Sequence, residues 1–252
     1  MVAKRKKITA IISFLLILIV LISCIIYDKK NEEPKSQVSA DSLYEFTIVS
    51  NALIIDKYVG NNDYVVVPSK INNMRVSDIG VHAFSGNQSI KEIVIEDGID
   101  SIEYSAFENC INLVNVKLPN SITSISSNVF RNCTNLENIN LPDSIKYIGD
   151  SAFEGCKSLR NITLPKSLTG ISARCFKDSA LKEIHIEEGV ERIGDGAFSG
   201  CNNLKSVTIP STVKRISLSS FPENIHYTIN NNPYIESYLS QMKMIQEEQK
   251  NK

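Results

Sequence analysis

The sequence predicts a mainly β protein, a solenoid of about seven 23-residue units with an N-terminal β-hairpin cap and a C-terminal helix. Three observations predict this class. A Phe recurs at spacings of 22 or 23 residues, other apolar residues keep phase with it, and both ends of the chain depart from the repeat. A fixed period in the twenties is typical of solenoids. The recurring residues are Phe84, Phe107, Phe130, Phe153, Phe176, Phe198 and Phe221.

Each unit predicts a short strand, a turn and a second wall around the central Phe. After Phe153, the residues Leu159, Ile162 and Leu164 fit a strand with one buried side, because successive strand residues point to opposite faces. Pro165 then ends the strand, since it has no N–H for a ladder. Adjacent coils about 4.8 Å apart would let the Phe rings stack. The strictly repeated positions are therefore predicted to be core, and the variable positions surface.

Both ends of the solenoid are predicted to be capped. A single unit has no core of its own, so stability is a sum over neighbouring coils and the two ends need covering. Residues 44–58 form two β-rich runs around Ser50-Asn51, which favours a starting hairpin. Asn232 and Pro233 fit the N-cap and first position of a capping helix within residues 230–252. The solenoid with its N-terminal cap is thus assigned to residues 44–229.

The first 27 residues indicate attachment to a membrane. Residues 4–7 are basic, and residues 8–27 carry no charge and are long enough to span about 30 Å as a helix. The basic side favours the cytoplasm, so the rest of the chain is predicted to be extracytoplasmic. Residues 1–27 are either an uncleaved signal anchor or a lipoprotein signal peptide, because residues 21–24 resemble a bacterial lipobox with Cys24 as the lipidated residue. Residues 28–43 follow as a polar linker.

Two stretches carry a family resemblance: IKYIGDSAFEGCKSLRNITLPKS (residues 145–167) and VERIGDGAFSGCNNLKSVTIPST (residues 190–212). They resemble the BspA-like leucine-rich repeats, over roughly residues 44–240. The resemblance implies a leucine-rich-repeat solenoid and a surface-exposed or secreted protein, mainly bacterial, in a family where some members adhere to host proteins or other cells. The unit around Phe176 departs from the motif: Cys175 takes the Ala position, the downstream Cys is missing, and one residue is absent. These departures put one turn in doubt.

The sequence offers little catalytic or metal-binding chemistry. The three His residues, His82, His185 and His226, fall on different coils, and no GxSxG, HExxH or Gly-rich phosphate loop occurs. Four Cys share one repeat position, where neighbours would be about 4.8 Å apart, whereas a disulfide needs Cβ atoms about 3.8 Å apart. We therefore predict buried free thiols, no catalytic residue, no metal site, no cofactor and no small-molecule substrate. The four are Cys110, Cys133, Cys156 and Cys201.

The charge distribution argues against nucleic-acid binding. Four of the 27 basic residues lie at positions 4–7, so the remainder of the chain carries 23 basic residues against 28 acidic ones. Binding to nucleic acid without sequence preference needs a basic footprint instead.

A solenoid offers surface area for a partner. The side chains that alternate with the buried strand residues are predicted to form one exposed sheet face, which is polar, low in charge and rich in Asn and Thr. This face is the candidate binding surface for a protein or glycan partner, and a weaker basic cluster on the opposite wall comprises Lys146, Tyr147, Arg192, Lys214 and Arg215. The candidate residues are Glu92, Val94, Asn115, Lys117, Asn138, Asn140, Asn161, Thr163, Glu183, His185, Ser206 and Thr208.

Three functional hypotheses follow from these features. The first is an extracytoplasmic, membrane-tethered protein of the cell surface that binds a protein or glycan through its solenoid, with adhesion as one form. The second is a structural or assembly component of the bacterial cell envelope without a host ligand. The third, a hydrolase of surface polymers, would need a convergent acid or nucleophile site, and the sequence contains none.

Overall fold

The computed structural model describes residues 37–38, 43–217, 219–222 and 225–250. The predicted membrane segment, residues 1–27 with Cys24, lies outside the described residues. Within the described ranges, no helix is long and apolar enough to cross a membrane. The described chain winds as a β-solenoid that starts with a hairpin and ends with a helix, which confirms the predicted fold class.

Short strands recur along the chain at the period of the repeat. In chain order they are β1 (Gln37–Val38), β2 (Tyr44–Val49), β3 (Ala52–Tyr58), β4 (Tyr64–Val67), β5 (Lys70–Ile71), β6 (Met74–Ile79), β7 (Glu92–Ile95), β8 (Ser101–Ile102), β9 (Asn115–Lys117), β10 (Ser124–Ile125), β11 (Asn138–Asn140), β12 (Tyr147–Ile148), β13 (Gly170–Ile171), β14 (Glu183–His185), β15 (Arg192–Ile193), β16 (Ser206–Ile209), β17 (Arg215–Ile216) and β18 (His226–Ile229). Helix α1 (Pro233–Lys250) follows them.

The N-terminal cap is an antiparallel hairpin of β2 and β3. Its turn residues Ser50 and Asn51 have φ angles of 48° and 69°, and a type I′ turn needs positive φ at both central positions. The predicted starting hairpin is therefore confirmed. Strand β3 pairs in parallel with β6, which joins the hairpin to the first coils, and β1 pairs antiparallel with β2 from within the predicted linker.

The coils build two walls of parallel strands. On the first wall, β4, β7, β9 and β11 form one sheet, and β14, β16 and β18 form another. On the second wall, mostly two-residue strands pair in the orders β6-β8-β10-β12 and β13-β15-β17. Each pairing joins equivalent residues of adjacent coils: Val116 lies opposite Ile93, and Ile125 lies opposite Ile102.

A stack of Phe rings forms the centre of the core, as predicted. From Phe84 to Phe221, successive ring centroids lie 4.8–5.4 Å apart and the ring planes differ by 2–24°. Such aromatic pairs add about 0.5–1.5 kcal/mol each beyond the burial of their area. Apolar residues of both walls, such as Leu159 and Ile148, are fully buried against the stack.

The five described cysteines are buried free thiols, as predicted. The thiol of Cys133 donates a hydrogen bond of 3.1 Å to the carbonyl oxygen of Phe107, one coil earlier. A thiol at this position therefore satisfies a buried backbone acceptor. In the unit that lacks this Cys, Ser179 is buried in its place and its Oγ lies 3.2 Å from the Sγ of Cys201. The departure changes one turn and leaves the Phe stack intact.

Two backbone positions in each coil from Phe84 to Phe198 adopt the left-handed conformation. One lies two residues before the Phe, as in Ser105 (φ 56°) and Asn128 (φ 60°). The other lies two residues after it, as in Asn109 (φ 61°) and Asn132 (φ 58°). Gly, Asn and Asp tolerate this conformation best. Several positions that vary in sequence are therefore restricted by backbone geometry, which the division into core and surface did not predict.

Polar side chains at the turns bond from coil to coil. The Ser that follows Leu-Pro by two positions donates to a carbonyl of the preceding coil, as Ser144 does to Ile122 at 2.7 Å. Elsewhere, Glu108, Arg131, Glu154 and Lys177 occupy equivalent positions on successive coils and form ion pairs of 3.2, 3.9 and 3.1 Å. These contacts add specific hydrogen bonds and charge pairs to the stacking of the coils.

The C-terminal cap is helix α1. The N–H of Ile235 donates to Oδ1 of Asn232 at 3.2 Å, which confirms the predicted N-cap. The side-chain amide of Asn232 also donates to the carbonyl of Val213 at 2.8 Å and so ties the helix start to the last coils. Ile235 is fully buried, and Tyr238 and Leu239 pack on the core with part of their surface exposed.

Candidate partner-binding surface

The predicted partner-binding residues form a two-column surface on the first wall, which we call the strand face. In one column Asn115 lies opposite Glu92 and Asn138, and in the other Lys117 lies opposite Val94. All of the predicted residues except Asn161 and Thr163 lie on strands. The full strand face is Glu92, Val94, Asn115, Lys117, Asn138, Asn140, Asn161, Thr163, Glu183, His185, Ser206 and Thr208, and each is exposed or half-buried.

The prediction of one continuous sheet is wrong at residues 161–163. This segment forms no strand with either neighbour, so the sheet that ends at β11 is separate from the sheet that begins at β14. The apolar side chains at this break are less well covered than their equivalents. Ile139 and Ile162 are only partly buried, whereas Ile93 and Ile184 are 0% and 3% exposed.

A groove of about 640 Å³ lies over this break, and we call it the central groove. Its floor includes Ile139 and Ile162, and its rim is polar. The volume falls within the range of about 300–1,000 Å³ that is usual for ligand-binding clefts. The lining residues are Ile139, Asn140, Asn161, Ile162, Thr163, Leu164, Glu183, Ile184, His185, Glu187, Ser206 and Thr208.

A second, smaller groove of about 360 Å³ adjoins it on the N-terminal side. Asn115, Lys117 and Asn138 line this groove, and the Nδ2 of Asn138 donates to Oδ1 of Asn115 at 2.8 Å. Part of the hydrogen-bonding capacity of these two amides is thus used within the protein. Asn140 and Asn161 line both grooves, which makes the strand face a single elongated surface.

The polar side chains of the central groove are unpaired. Within the described part of the chain, the side chains of Asn140, Asn161, Thr163, Glu183 and His185 form no hydrogen bond or ion pair. This contrasts with the turns, where Ser, Asn and acidic side chains bond to the next coil. The groove therefore presents open donors and acceptors to solvent.

Four further residues of this surface were missed in the sequence. At its C-terminal end, His226 and Thr228 on β18 lie opposite Ser206 and Thr208 and are exposed. Tyr64 and Val66, on β4, lie opposite Glu92 and Val94 and are 53% and 38% exposed. They add an apolar patch to the N-terminal end of the strand face. The signal was present, because Val67-Pro68 has the same place in its unit as the Leu-Pro pairs of later units.

The second wall carries the weaker basic cluster that was predicted there. Arg192 and Arg215 lie opposite each other on β15 and β17. Lys214 is neutralised in part, because its Nζ lies 2.5 Å from Oε1 of Glu191. The hydrogen bond and charge of Lys214 lower the pKa of the Glu191 carboxyl. Tyr147, the aromatic member of the predicted cluster, lies on β12 and is 47% exposed.

The remaining candidate chemical groups do not converge. Burial raises the pKa of the Cys110 thiol to about 12 and also raises the pKa of Cys133, so thiolate is scarce at neutral pH. His82 stacks edge-on against Tyr104 with ring centroids 5.8 Å apart, far along the chain from the groove residue His185. In the described ranges, no three His, Cys, Asp or Glu side chains are grouped so as to hold a metal ion.

Comparison with known proteins identifies the family. The profile of the BspA type leucine-rich repeat region matches in six copies, over residues 61–179 and 123–241. The chain therefore belongs to this family of leucine-rich-repeat proteins, whose fold is typically non-enzymatic. A comparison with curated proteins finds no match.

Solved structures share the fold. A leucine-rich-repeat protein of T. pallidum is 20% identical, with a TM-score of 0.54, and the match covers 82% of this chain and 96% of that one. A leucine-rich cell surface protein of Faecalibacterium prausnitzii is 23% identical, with a TM-score of 0.55, and the match covers 80% of this chain and 77% of that one. At these identities the likeness supports the solenoid fold alone.

Proposed function

We propose that this protein is a membrane-tethered, extracytoplasmic binding protein of a bacterial surface, which holds a protein or glycan partner through the strand face. The observation that carries this proposal is the contrast in hydrogen bonding. Polar side chains at the turns are bonded between coils, while those of the central groove have no partner in the described part of the chain. Unpaired polar groups around a partly exposed apolar floor are what a specific ligand site requires.

The location rests on two further observations. Residues 4–7 are basic and residues 8–27 are uncharged, a pattern that favours a membrane tether with the solenoid outside the cell. The similar protein from F. prausnitzii is described as a cell surface protein. Whether residues 1–27 stay as an anchor or are removed before acylation of Cys24, the solenoid would be held at the surface.

The alternative is a structural or assembly component of the cell's own envelope. The basic cluster on the second wall favours it, because Arg192 and Arg215 are adjacent and exposed and would suit an anionic envelope polymer. In this case the second wall, not the strand face, would carry the contact.

One matched pair of variants tests the proposal. The strand-face variant changes Lys117, Asn140 and Thr163 to Glu. The control variant changes Thr123, Lys146 and Thr169 to Glu, which alters the same three coils on the second wall. Each variant replaces one Lys and two neutral residues, so the two variants have the same net charge. The labelled full chain and both variants are incubated with host matrix proteins, host cells and bacterial envelopes.

The expected result is saturable binding that the strand-face variant loses and the control keeps. Host binding of this kind would establish adhesion, and binding to bacterial envelope alone would assign the same surface to an envelope role. The proposal would be overturned if the strand-face variant bound as well as the wild type while the control variant lost binding. That result would assign the contact to the second wall. Circular dichroism of all three proteins checks that they are folded.

A further inference from the structure

We propose that the central groove is a sugar-binding subsite, which takes a short neutral segment of a glycan. This inference rests on the proposed binding function of the strand face and narrows its ligand class. A sugar ring has an apolar face of C–H groups and an edge of hydroxyls that both donate and accept hydrogen bonds. The groove combines the surfaces that such a ring needs.

The floor of the groove provides the apolar contact. The strand ladder is interrupted at residues 161–163, and Ile139 and Ile162 remain partly exposed there. The equivalent residues of the coils on either side, Ile93, Val116, Ile184 and Val207, are at most 5% exposed, and Tyr227 on the last strand is partly buried. The floor is therefore a local feature of the two coils that carry Ile139 and Ile162, and covering it removes apolar surface from water.

The rim provides hydrogen bonds in both directions. Asn140 and Asn161 offer amide donors and acceptors, Thr163 offers a hydroxyl, and Glu183 offers acceptors. None of these side chains has a partner in the described part of the chain. A ligand rich in hydroxyls can satisfy both kinds of group at once, whereas an apolar ligand would leave them buried and unpaired.

The charge of the groove selects against anionic ligands. Glu183 and Glu187 line it, and no described Lys or Arg does. A sulfated, phosphorylated or sialylated glycan would bring negative charge against these carboxylates, which disfavours it. A neutral sugar meets no such repulsion and gains two carboxylate acceptors.

The backbone arrangement makes an extended peptide a poorer fit. Peptide strands usually bind by pairing with a free strand edge. Here residues 161–163 lie between the equivalent strands β11 and β14, and Lys182 N donates to the carbonyl of Arg160 at 3.2 Å. Strands β11 and β14 are the edges of their sheets at the break, but residues 161–163 occupy the space between them, so a peptide has no room to pair there as an added strand.

The test uses the full chain, purified in a non-glycosidic detergent, on an array of neutral and anionic glycans with oligolysine as a basic peptide probe. The groove variant is Asn161→Ala with Glu183→Ala. The control variant is Asn203→Ala with Glu236→Ala, the same two changes at exposed positions outside the strand face and the central groove. Affinities for the array hits are measured by fluorescence anisotropy at low and raised salt.

The expected result is binding of at least one neutral glycan that changes little with salt. The groove variant should bind about tenfold more weakly or worse, since each lost hydrogen bond is worth a factor of about 2–10. The control should bind as tightly as the wild type, because neither of its residues lines the central groove.

Three outcomes would overturn the sugar proposal. The first is that no neutral glycan of the array binds. The second is salt-sensitive binding of oligolysine alone that the groove variant loses, which would make the groove a site for a basic peptide. The third is equal loss in the groove and control variants. If the strand-face variant described above still loses surface binding, the broader function stands and only the sugar assignment fails; if it does not, both fail.

Discussion

Replacing Gly149 by Ala tests whether close backbone contact between coils limits the sequence of the second wall. Gly149 follows β12, and its N–H donates to the carbonyl of Ile125 at 2.8 Å. A Cβ at this position would lie 2.5 Å from the backbone N of Ser127 and 2.7 Å from the carbonyl C of Ser126. Those atoms belong to the backbone of the preceding coil, so no side-chain rotation relieves the overlap.

The magnitude follows from that overlap. Overpacking a well-packed region costs about 1–3 kcal/mol, and for a chain of 150–250 residues each kcal/mol lowers the Tm by about 2–4 °C. Gly149→Ala should therefore lower the Tm by about 2–12 °C. Gly170→Ala on the same wall is the control, because the nearest atom to its new Cβ would be the Arg192 carbonyl oxygen at 3.5 Å, an ordinary contact. That change should be neutral or stabilise by about 0.4–1 kcal/mol, through a less flexible unfolded chain.

The assay is thermal unfolding of the full chain followed by circular dichroism, with Gly194→Ala as an independent repeat of the prediction. A Cβ at Gly194 would lie 2.7 Å from the backbone N of Ala173, so this variant should behave like Gly149→Ala. Equal Tm values for Gly149→Ala and Gly170→Ala would refute the reasoning, since the two changes are chemically identical and differ only in inter-coil space.

Three further predictions concern single residues. Arg174 has a φ of 54°, which is unfavourable for a long side chain, so Arg174→Asn should stabilise by about 0.5–1 kcal/mol in urea unfolding; a loss of stability would contradict this. Burial raises the pKa of the Glu154 carboxyl, but hydrogen bonds from Ser151 and Lys177 and nearby positive charge outweigh it and bring the pKa below its ordinary 4.5. The ionised Glu154 therefore stabilises the fold above pH 4.5, and this stabilisation is lost as the pH falls through the lower pKa of the folded state. The Tm of Glu154→Gln should be below that of the wild type at neutral pH, and the difference should shrink on acidification. A difference in Tm that does not depend on pH would refute the assignment. The thiol of Cys110, with its pKa raised to about 12, should resist alkylation in the folded protein and react in urea, whereas rapid reaction without urea would contradict its burial.

Much of the fold is predictable because the same pattern of core residues recurs in every unit of the repeat. The Phe stack, the hairpin turn at Ser50 and the N-cap at Asn232 each depend on one local rule, and the structure confirms them. The left-handed backbone positions were harder to predict from the sequence. Different residue types, including Gly, Asn, Asp and Ser, occupy these positions, so no single repeated residue marks them. Asn109 and Asn132 therefore looked like free surface positions although their φ angles are fixed at 61° and 58°.

The central groove could not be predicted from the sequence, for a different reason. The coil that forms it keeps Leu159, Ile162 and Leu164 in phase, followed by Pro165, so nothing local distinguishes it from its neighbours. The interruption is a property of the spacing between coils, which depends on both adjoining units. The neighbouring unit around Phe176 is irregular, because Cys175 takes the Ala position, Ser179 takes the Cys position and one residue is absent before Phe198. These departures are the signal near the break that the sequence displays.

The same interruption would account for a binding groove at one place in a repetitive protein, as we propose for the central groove. Stability in a solenoid is a sum over neighbours, so one weakened strand pairing is tolerated while the core remains in contact. Here the rings of Phe153 and Phe176 still stack at 5.4 Å with planes 2° apart beneath the break. Because contacts in the core stabilise this coil, the fold tolerates partly exposed Ile139 and Ile162 on the first wall. It likewise tolerates rim amides that have no partner in the described part of the chain. We therefore expect the binding specificity of this protein to reside where its strand ladder is interrupted, and not where the repeat is most regular.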